Sequence, residues 1–294
     1  MMKTTNASSR ASALILCLFA TILLLSAPSF AETKKFVKEY TYKIETMDNQ
    51  ATGRTLALYQ VSKLLLREIA ESIQGTLKDS DSSAGKSPEE RLDEIQLLLP
   101  SAVMVNVVND KWDGGAFFIK AEVEADPADI AKDVEKFRLN EERTRLLKDL
   151  KHRSDSALKE IAEMRKTGDV ATYNNAIIKL SATEWFAKGL KYIDSGNFDK
   201  AAFAFDYAIK RDPENANAWE MQGWAYHELG NYKRGIDKFD EAINLDPTLA
   251  KAYEGRGRSY GDMGDPKRQI EDMKTAAKLG SKSAKTFLKS KNLE

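Results

Sequence analysis

The sequence contains very few of the residues on which metal and thiol chemistry depends. Its 294 residues include one cysteine, Cys17, and two histidines, His152 and His227. One thiol cannot form an internal disulfide, and this set is too small for a zinc site or for a cysteine nucleophile with a neighbouring base. We therefore expect neither a metal site nor any other cofactor.

Proline, glycine and net charge are low as well. Seven prolines and 16 glycines argue against a collagen-like or largely disordered chain. Because 45 Lys and Arg side chains balance 45 Asp and Glu side chains, the chain lacks the basic excess that nucleic-acid-binding proteins usually carry. A mean hydropathy of −0.48 excludes a polytopic membrane protein. The class that remains is a globular protein whose apolar residues, 42% of the chain, can build packed cores.

An apolar segment at the N-terminus has the layout of an export signal. Lys3 and Arg10 precede an uncharged stretch, and Ser29 and Ala31 are small residues at the spacing of a signal-peptide cleavage site. The apolar core of this stretch is shorter than the ~20 residues that span a bilayer. We predict a signal peptide over 1–31, cleaved after Ala31, and hence a periplasmic protein without cysteine. An uncleaved membrane anchor is the alternative.

Residues 32–125 combine strand and helix signals, which predicts a small α+β module. Ser87, Pro88 and Glu90 form a helix start with a capping box, and Pro100 is expected to end that helix after Leu99. The predicted elements are a strand at 36–44, a helix at 52–77, a helix at 88–99, and a hairpin of strands at 103–108 and 117–123 with its turn at 109–115. We assign no chemistry to this module.

A charged helical connector is predicted over 126–181. Asp126 and Pro127 start a helix, and apolar or small residues then recur at alternating spacings of three and four, at Leu147, Leu150, Ser154, Ala157, Ile161 and Met164. This short heptad seam has two interpretations. It forms a coiled coil that makes a homodimer through 126–166, or one long helix folds back on its own domain. A further helix at 172–180 is expected before the next segment.

Residues 182–294 contain three segments that repeat with a period of 34 residues. The period relates Trp185, Trp219 and Tyr253, and likewise Gly189, Gly223 and Gly257, Gly196, Gly230 and Gly264, and Ala208, Ala242 and Ala276. A period of 34 with these residue types resembles the tetratricopeptide repeat family. The resemblance implies a helical solenoid with repeats at 182–215, 216–249 and 250–283 and a capping helix at 284–288. The fold class is therefore mostly α, with a small α+β module, a long connector helix and a C-terminal solenoid.

The N-terminal module has looser resemblances. Its Trp-Asp-Gly turn followed by an aromatic strand resembles a module that precedes tetratricopeptide arrays in exported bacterial proteins. Its opening strand and long helix resemble the N-terminal domain of flagellar assembly proteins. Neither resemblance supplies functional residues.

The tetratricopeptide resemblance also implies where a partner binds. In that family the first helix of each repeat lines a concave groove that holds extended or helical peptides. The corresponding positions here are Phe186, Leu190, Asn217, Glu220, Trp224, His227, Lys251, Glu254 and Arg258. The Lys and Asn clamp with which some members hold chaperone C-termini is absent, since only Lys251 fits it. As an alternative, Phe186 and Leu190 pack against the preceding helix.

These features predict a non-catalytic scaffold or adaptor in the bacterial periplasm that binds a peptide or protein in the groove. A structural component of an envelope assembly, of the secretion, pilus or flagellar type and contacted through the N-terminal module, is the alternative. No enzymatic activity is expected, because the sequence contains neither a Gly-x-Ser-x-Gly nor a His-Glu-x-x-His motif. We expect no nucleic-acid partner and no stable membrane insertion once the signal is removed.

Overall fold

A computed structural model of the protein describes residues 33–77 and 87–293, so the predicted signal peptide at 1–31 lies outside the described residues. Eleven helices and three strands occupy these two ranges. In chain order they are β1 Lys34–Lys43, α1 Gln50–Ile73, α2 Pro88–Ala102, β2 Asn106–Trp112, β3 Ala116–Ala125, α3 Pro127–Arg138, α4 Glu141–Thr167, α5 Val170–Asp194, α6 Phe198–Arg211, α7 Ala216–Glu228, α8 Tyr232–Leu245, α9 Ala250–Asp262, α10 Pro266–Lys278 and α11 Lys282–Ser290. The predicted fold class is confirmed.

The three strands form one antiparallel sheet in the order β1-β3-β2. Alternate residues of β3, such as Phe117, Ile119 and Ala121, are buried, because successive side chains of a strand point to opposite faces. They share one hydrophobic cluster with the buried face of α1, represented by Leu65 and Ile69. The strand β2 lies at the edge of the sheet, and most of its side chains are exposed.

Several predicted boundaries in this module are wrong. The helix predicted at 52–77 is α1, which ends at Ile73. The helix α2 begins at the predicted capping box but continues through Pro100 to Ala102, because a proline in the last turn removes only one backbone hydrogen bond. The strand β2 begins at Asn106, since the backbone N–H of Val103 still donates to the carbonyl of Leu99 at 2.9 Å. The turn is correspondingly short, at 113–115, and Asp113 Oδ1 accepts hydrogen bonds from the backbone N–H groups of Gly115 and Ala116.

The connector consists of two helices before α5 instead of one. Helix α3 ends at Arg138, and Asn140 caps α4 by accepting a hydrogen bond from the backbone N–H of Arg143 at 2.9 Å. The seam predicted on α4 is covered by its own chain: Ala157 and Ile161 are buried in one cluster with α5 side chains. In this structure α4 therefore folds back on its own chain and packs along α5. These contacts give no support to a coiled-coil dimer.

Helix α5 is continuous where the sequence predicted a separate helix at 172–180 followed by the first repeat. It starts at Val170, where Asp169 accepts hydrogen bonds from two backbone N–H groups of the first turn, and it ends at Asp194. Its first half therefore belongs to the connector and its second half is the first helix of the repeats. Among the helices of the described ranges, none has both the length and the apolar composition of a membrane span.

Helices α5 to α10 form three antiparallel pairs, and α11 caps the last pair. The residues Gly196, Gly230 and Gly264 follow the first helix of each pair with φ values of 69°, 72° and 80°, a conformation that L-residues rarely adopt. Close approach between paired helices depends on other glycines. A Cβ atom on Gly189 would lie 2.5 Å from the ring of Phe205.

Candidate partner-binding groove

The first two predicted groove residues belong to the hydrophobic core. Phe186 and Leu190 are 1% and 0% exposed, and the ring of Phe186 packs edge-on against Phe205 with centroids 5.5 Å apart. Both lie in the same cluster as Leu147 and Leu150 of α4. Their prediction as partner contacts is wrong, because α4 covers this side of α5. They pack inward, as the alternative proposed, but against α4 and α6.

The next two predicted groove residues, Asn217 and Glu220, lie against α4. Arg145 Nη1 donates a hydrogen bond to Asn217 Oδ1 at 3.0 Å, and Asn217 Nδ2 donates to Asp149 Oδ2 at 3.0 Å. One turn further along α4, Arg153 pairs with Asp212 at 2.9 Å. The connector helix therefore lies over the first half of the concave face. The sequence indicates this contact only weakly: Arg145, Asp149 and Arg153 are spaced by four residues and so share one face of a helix.

Glu220 is a buried carboxyl group beneath this contact. It is 1% exposed, and its Oε1 accepts a hydrogen bond from Trp224 Nε1 at 2.9 Å. Its Oε2 accepts no hydrogen bond from the described part of the chain, and the nearest cation, Arg145, is 3.7 Å away. Burial, with a smaller contribution from the charge of Glu142, raises the pKa of Glu220 to about 7. The groove thus contains a carboxyl group that changes its charge near neutral pH.

Glu254 occupies the equivalent position one repeat further on, and its surroundings differ. It is 1% exposed and accepts hydrogen bonds from Lys251 at 3.1 Å, Arg258 at 2.6 Å, Ser281 at 2.9 Å and Ser283. Burial alone would raise its pKa, but the hydrogen bonds from Ser283, Lys251 and Ser281 together with the charge of Lys251 lower the pKa below its ordinary value. Glu254 therefore fixes α11 to α9 and is not available to a partner.

The accessible part of the predicted groove is a patch formed by Trp224, Lys251 and Arg258, named here the Trp224 patch. The guanidinium of Arg258 lies over the Trp224 ring at 5.5 Å, and its side chain is 48% exposed. His227 packs against the patch: its ring centroid is 5.5 Å from that of Trp224, and its Nδ1 is 3.0 Å from Ser259 Oγ. Only 12% of the His227 side chain is exposed, and burial lowers its pKa.

A family model described as tetratricopeptide repeat matches residues 186–250. These residues form tetratricopeptide repeats. The match begins inside α5 and ends at the start of α9, so it covers most of the first two predicted repeats and includes Trp224. None of the curated proteins gives a match to this chain.

Several solved tetratricopeptide domains are similar to part of the chain. The second such domain of human RPAP3, solved in complex with an HSP70 peptide, is 24% identical; the similarity covers 38% of this chain and 96% of that domain, with a TM-score of 0.37. The domain of Arabidopsis OM64 is 24% identical over 37% of this chain and 92% of its own, with a TM-score of 0.36. The Sgt2 domain from Aspergillus fumigatus is 21% identical over 37% and 76%, also with a TM-score of 0.36.

Proposed function

We propose that the protein is a non-catalytic adaptor whose tetratricopeptide array binds a peptide or protein partner at the Trp224 patch. The observation that carries the proposal is that a half-buried Trp224 on α7 and an exposed Arg258 on α9 stack on each other, beyond the part of the array that α4 covers. Tryptophan and arginine are the residue types that most often dominate binding energy at protein interfaces.

The charges of the patch indicate the chemistry of the partner. Lys251 and Arg258 both pair with Glu254, so two cations share one carboxylate and the patch keeps a positive charge. The Trp224 ring adds an apolar surface beside them. A partner segment with an apolar side chain next to an acidic group fits this arrangement, because a carboxylate forms its strongest hydrogen bonds with charged donors.

The proposed location is the periplasm. It is supported by the basic residues, the uncharged apolar stretch and the small residues around Ala31 in the sequence. Cell fractionation combined with mass spectrometry of the mature N-terminus tests it. A mature chain that starts after Ala31 in the periplasmic fraction supports the proposal, and a chain that keeps residues 1–31 in the membrane fraction contradicts it.

Crosslinking with mass spectrometry in the native envelope tests the binding site. We compare the wild type with the double variant Trp224→Ala/Arg258→Ala. The matched control is Tyr226→Ala/Arg234→Ala, which removes another stacked arginine–aromatic pair, 5.8 Å apart, between α7 and α8. Loss of partner crosslinks to Lys251 in the first variant, but not in the control, supports the groove. Crosslinks that concentrate on residues 33–125 and survive both variants support a structural component contacted through the N-terminal module instead.

A further inference from the structure

A cavity of about 300 Å³ lies away from the groove, between the N-terminal module and the connector. Helices α1 and α2 and the segment 103–107 form one side of it, and α4 and α5 form the other. Most of its wall is apolar, as shown by Leu58, Leu66, Leu97, Val105, Leu147 and Leu150. A mostly apolar cavity with a few polar groups is the usual form of a small-molecule site.

One polar side chain in the wall has an unused hydrogen-bonding atom. Glu184, on α5, lines the cavity, and its Oε1 is shielded from solvent and accepts no hydrogen bond from any described residue. A buried carboxyl oxygen without a donor is unfavourable, and a donor that reaches it restores the lost interaction. Because this oxygen has almost no accessible surface, a ligand in the cavity can bond to the Glu184 carboxyl group only if the group turns toward the cavity.

The charges around Glu184 restrict what that donor can be. Lys188, Arg54 and Arg211 all act on it through their positive charge without bonding to it, and burial raises its pKa to about 7. These three cations are engaged elsewhere: Arg54 pairs with Asp110 at 2.8 Å, and the other two lie over the ring of Trp185. Of the three, only Lys188 lines the cavity. A cationic ligand would be repelled by Lys188, and an anionic ligand would be repelled by the charged form of Glu184.

The remaining charged side chains of the wall do not attract an ion either. Lys151 lies 3.6 Å from Asp155, and Lys191 lies 3.7 Å from Asp133. Lys63 and Asp93 are both exposed and have opposite signs. The cavity therefore selects for an uncharged molecule.

We propose that this cavity binds a small uncharged amphiphile, whose apolar body fills the space between α1, α2, α4 and α5 and whose hydroxyl or amide N–H donates a hydrogen bond to the Glu184 carboxyl group once that group has turned toward the cavity. The site is separate from the Trp224 patch. Its existence does not depend on whether the array binds a partner.

Four probes of equal chain length test the proposal on the purified protein by isothermal titration calorimetry. They are 1-octanol, its isomer 1-methoxyheptane, which has the same atoms but no donor, octylamine and octanoate. We expect saturable binding of octanol at one site. The ether should bind about tenfold more weakly, because it lacks one hydrogen bond to a buried acceptor. Both ionic probes should bind more weakly than octanol.

Variants locate the binding. In Glu184→Leu the preference for octanol over the ether should disappear, whereas Glu214→Leu, at an exposed site before α7, should keep it. Ala187→Leu fills the cavity from α5 and should weaken octanol binding at least about tenfold. Leu66→Phe fills it from the opposite wall, so the test remains if circular dichroism shows that Ala187→Leu does not fold.

Three results would overturn the proposal. One is that none of the probes binds saturably. Another is that octylamine or octanoate binds as tightly as octanol. The third is that octanol binding survives in a folded cavity-filling variant.

Discussion

Arg145 of α4 and Asn217 of α7 are joined by a hydrogen bond of 3.0 Å, although 72 residues separate them in the chain. The bond places a connector helix on the face of the array that the repeat pattern assigned to a partner. A ligand that occupies the whole groove would have to displace this helix. A ligand of the Trp224 patch alone would not.

The contact between α4 and the array should contribute measurably to stability. In Arg145→Ala, Asn217 and Glu220 lose their charged neighbour. We expect the free energy of unfolding to fall by about 1 kcal/mol, with faster amide exchange at the start of α4. The measurements are urea unfolding and hydrogen–deuterium exchange. Arg67→Ala, which breaks an exposed pair with Glu71 at 3.0 Å, is the control and should change stability by less than about 0.5 kcal/mol. Equal effects of the two variants would contradict the role of α4.

Stability should depend on pH through Glu220. Because its pKa is raised to about 7 in the folded protein, the folded state holds a proton that the unfolded state releases at lower pH. The free energy of unfolding therefore decreases as the pH rises from the ordinary pKa of a glutamate towards about 7, and the decrease ends above that.

The variant Glu220→Gln should remove this decrease while keeping an acceptor for Trp224. Relative to wild type, it should gain about 2 kcal/mol between about pH 5 and about pH 8. Urea unfolding at several pH values measures the difference, with the exposed Glu214→Gln as control. Parallel stability curves for wild type and Glu220→Gln would mean that Glu220 keeps an ordinary pKa.

Because paired helices pack closely at Gly189, adding one methyl group there should lower the stability of the protein. In Gly189→Ala the new Cβ would lie 2.5 Å from the ring of Phe205, which is itself fully buried. We expect a loss of about 1–3 kcal/mol in the free energy of unfolding. Gly75→Ala is the control, because a Cβ there meets nothing within 4 Å. A neutral Gly189→Ala would show that the two helices can separate without cost.

A buried carboxylate ties the loop after β1 to the connector. The side chain of Asp48 is 0% exposed, and it accepts hydrogen bonds from Tyr42 at 2.7 Å, Arg165 at 3.4 Å and Tyr173. In Arg165→Met the carboxylate loses its only cationic partner in the described part of the chain, and we expect a loss of about 3 kcal/mol.

A double-mutant cycle separates this ion pair from simple packing. Asp48→Asn/Arg165→Met should be more stable than Arg165→Met alone, because no uncompensated charge remains buried. Thermal unfolding of the four proteins measures the coupling. Additive effects would contradict the assignment.

The repeats could be predicted because their signal is local. Tight turns require glycines at 196, 230 and 264, and close helix pairs require Gly189 and its equivalents, so the period is visible without any knowledge of tertiary contacts. The start of α2 was equally visible, since Ser87 and Glu90 bond to each other's backbone.

The covering of the groove could not be predicted in the same way. Phe186 and Leu190 have the spacing of groove residues, and only the position of α4, folded back along α5, makes them core residues. Likewise, Pro100 does not end α2, because it lies in the last turn of the helix. The start of β2 is set by the hydrogen bond from the backbone N–H of Val103, with which α2 ends. These features arise from contacts between segments, which hydrophobic spacing alone does not specify.

The continuity of α5 has a mechanical consequence. Its 25 residues, at about 1.5 Å each, form one helix of roughly 37 Å. Helix α4 contacts it from Tyr173 near its start to Asp194 at its end, and its second half is also the first helix of the array. A force applied to a bound partner would therefore be transmitted through one continuous helix that is packed on α4, without a loop at which its two halves could rotate. Dividing the chain at residue 182 would cut this helix in the middle. Experiments that separate the N-terminal module from the array should cut before α4, which keeps α5 packed against α6.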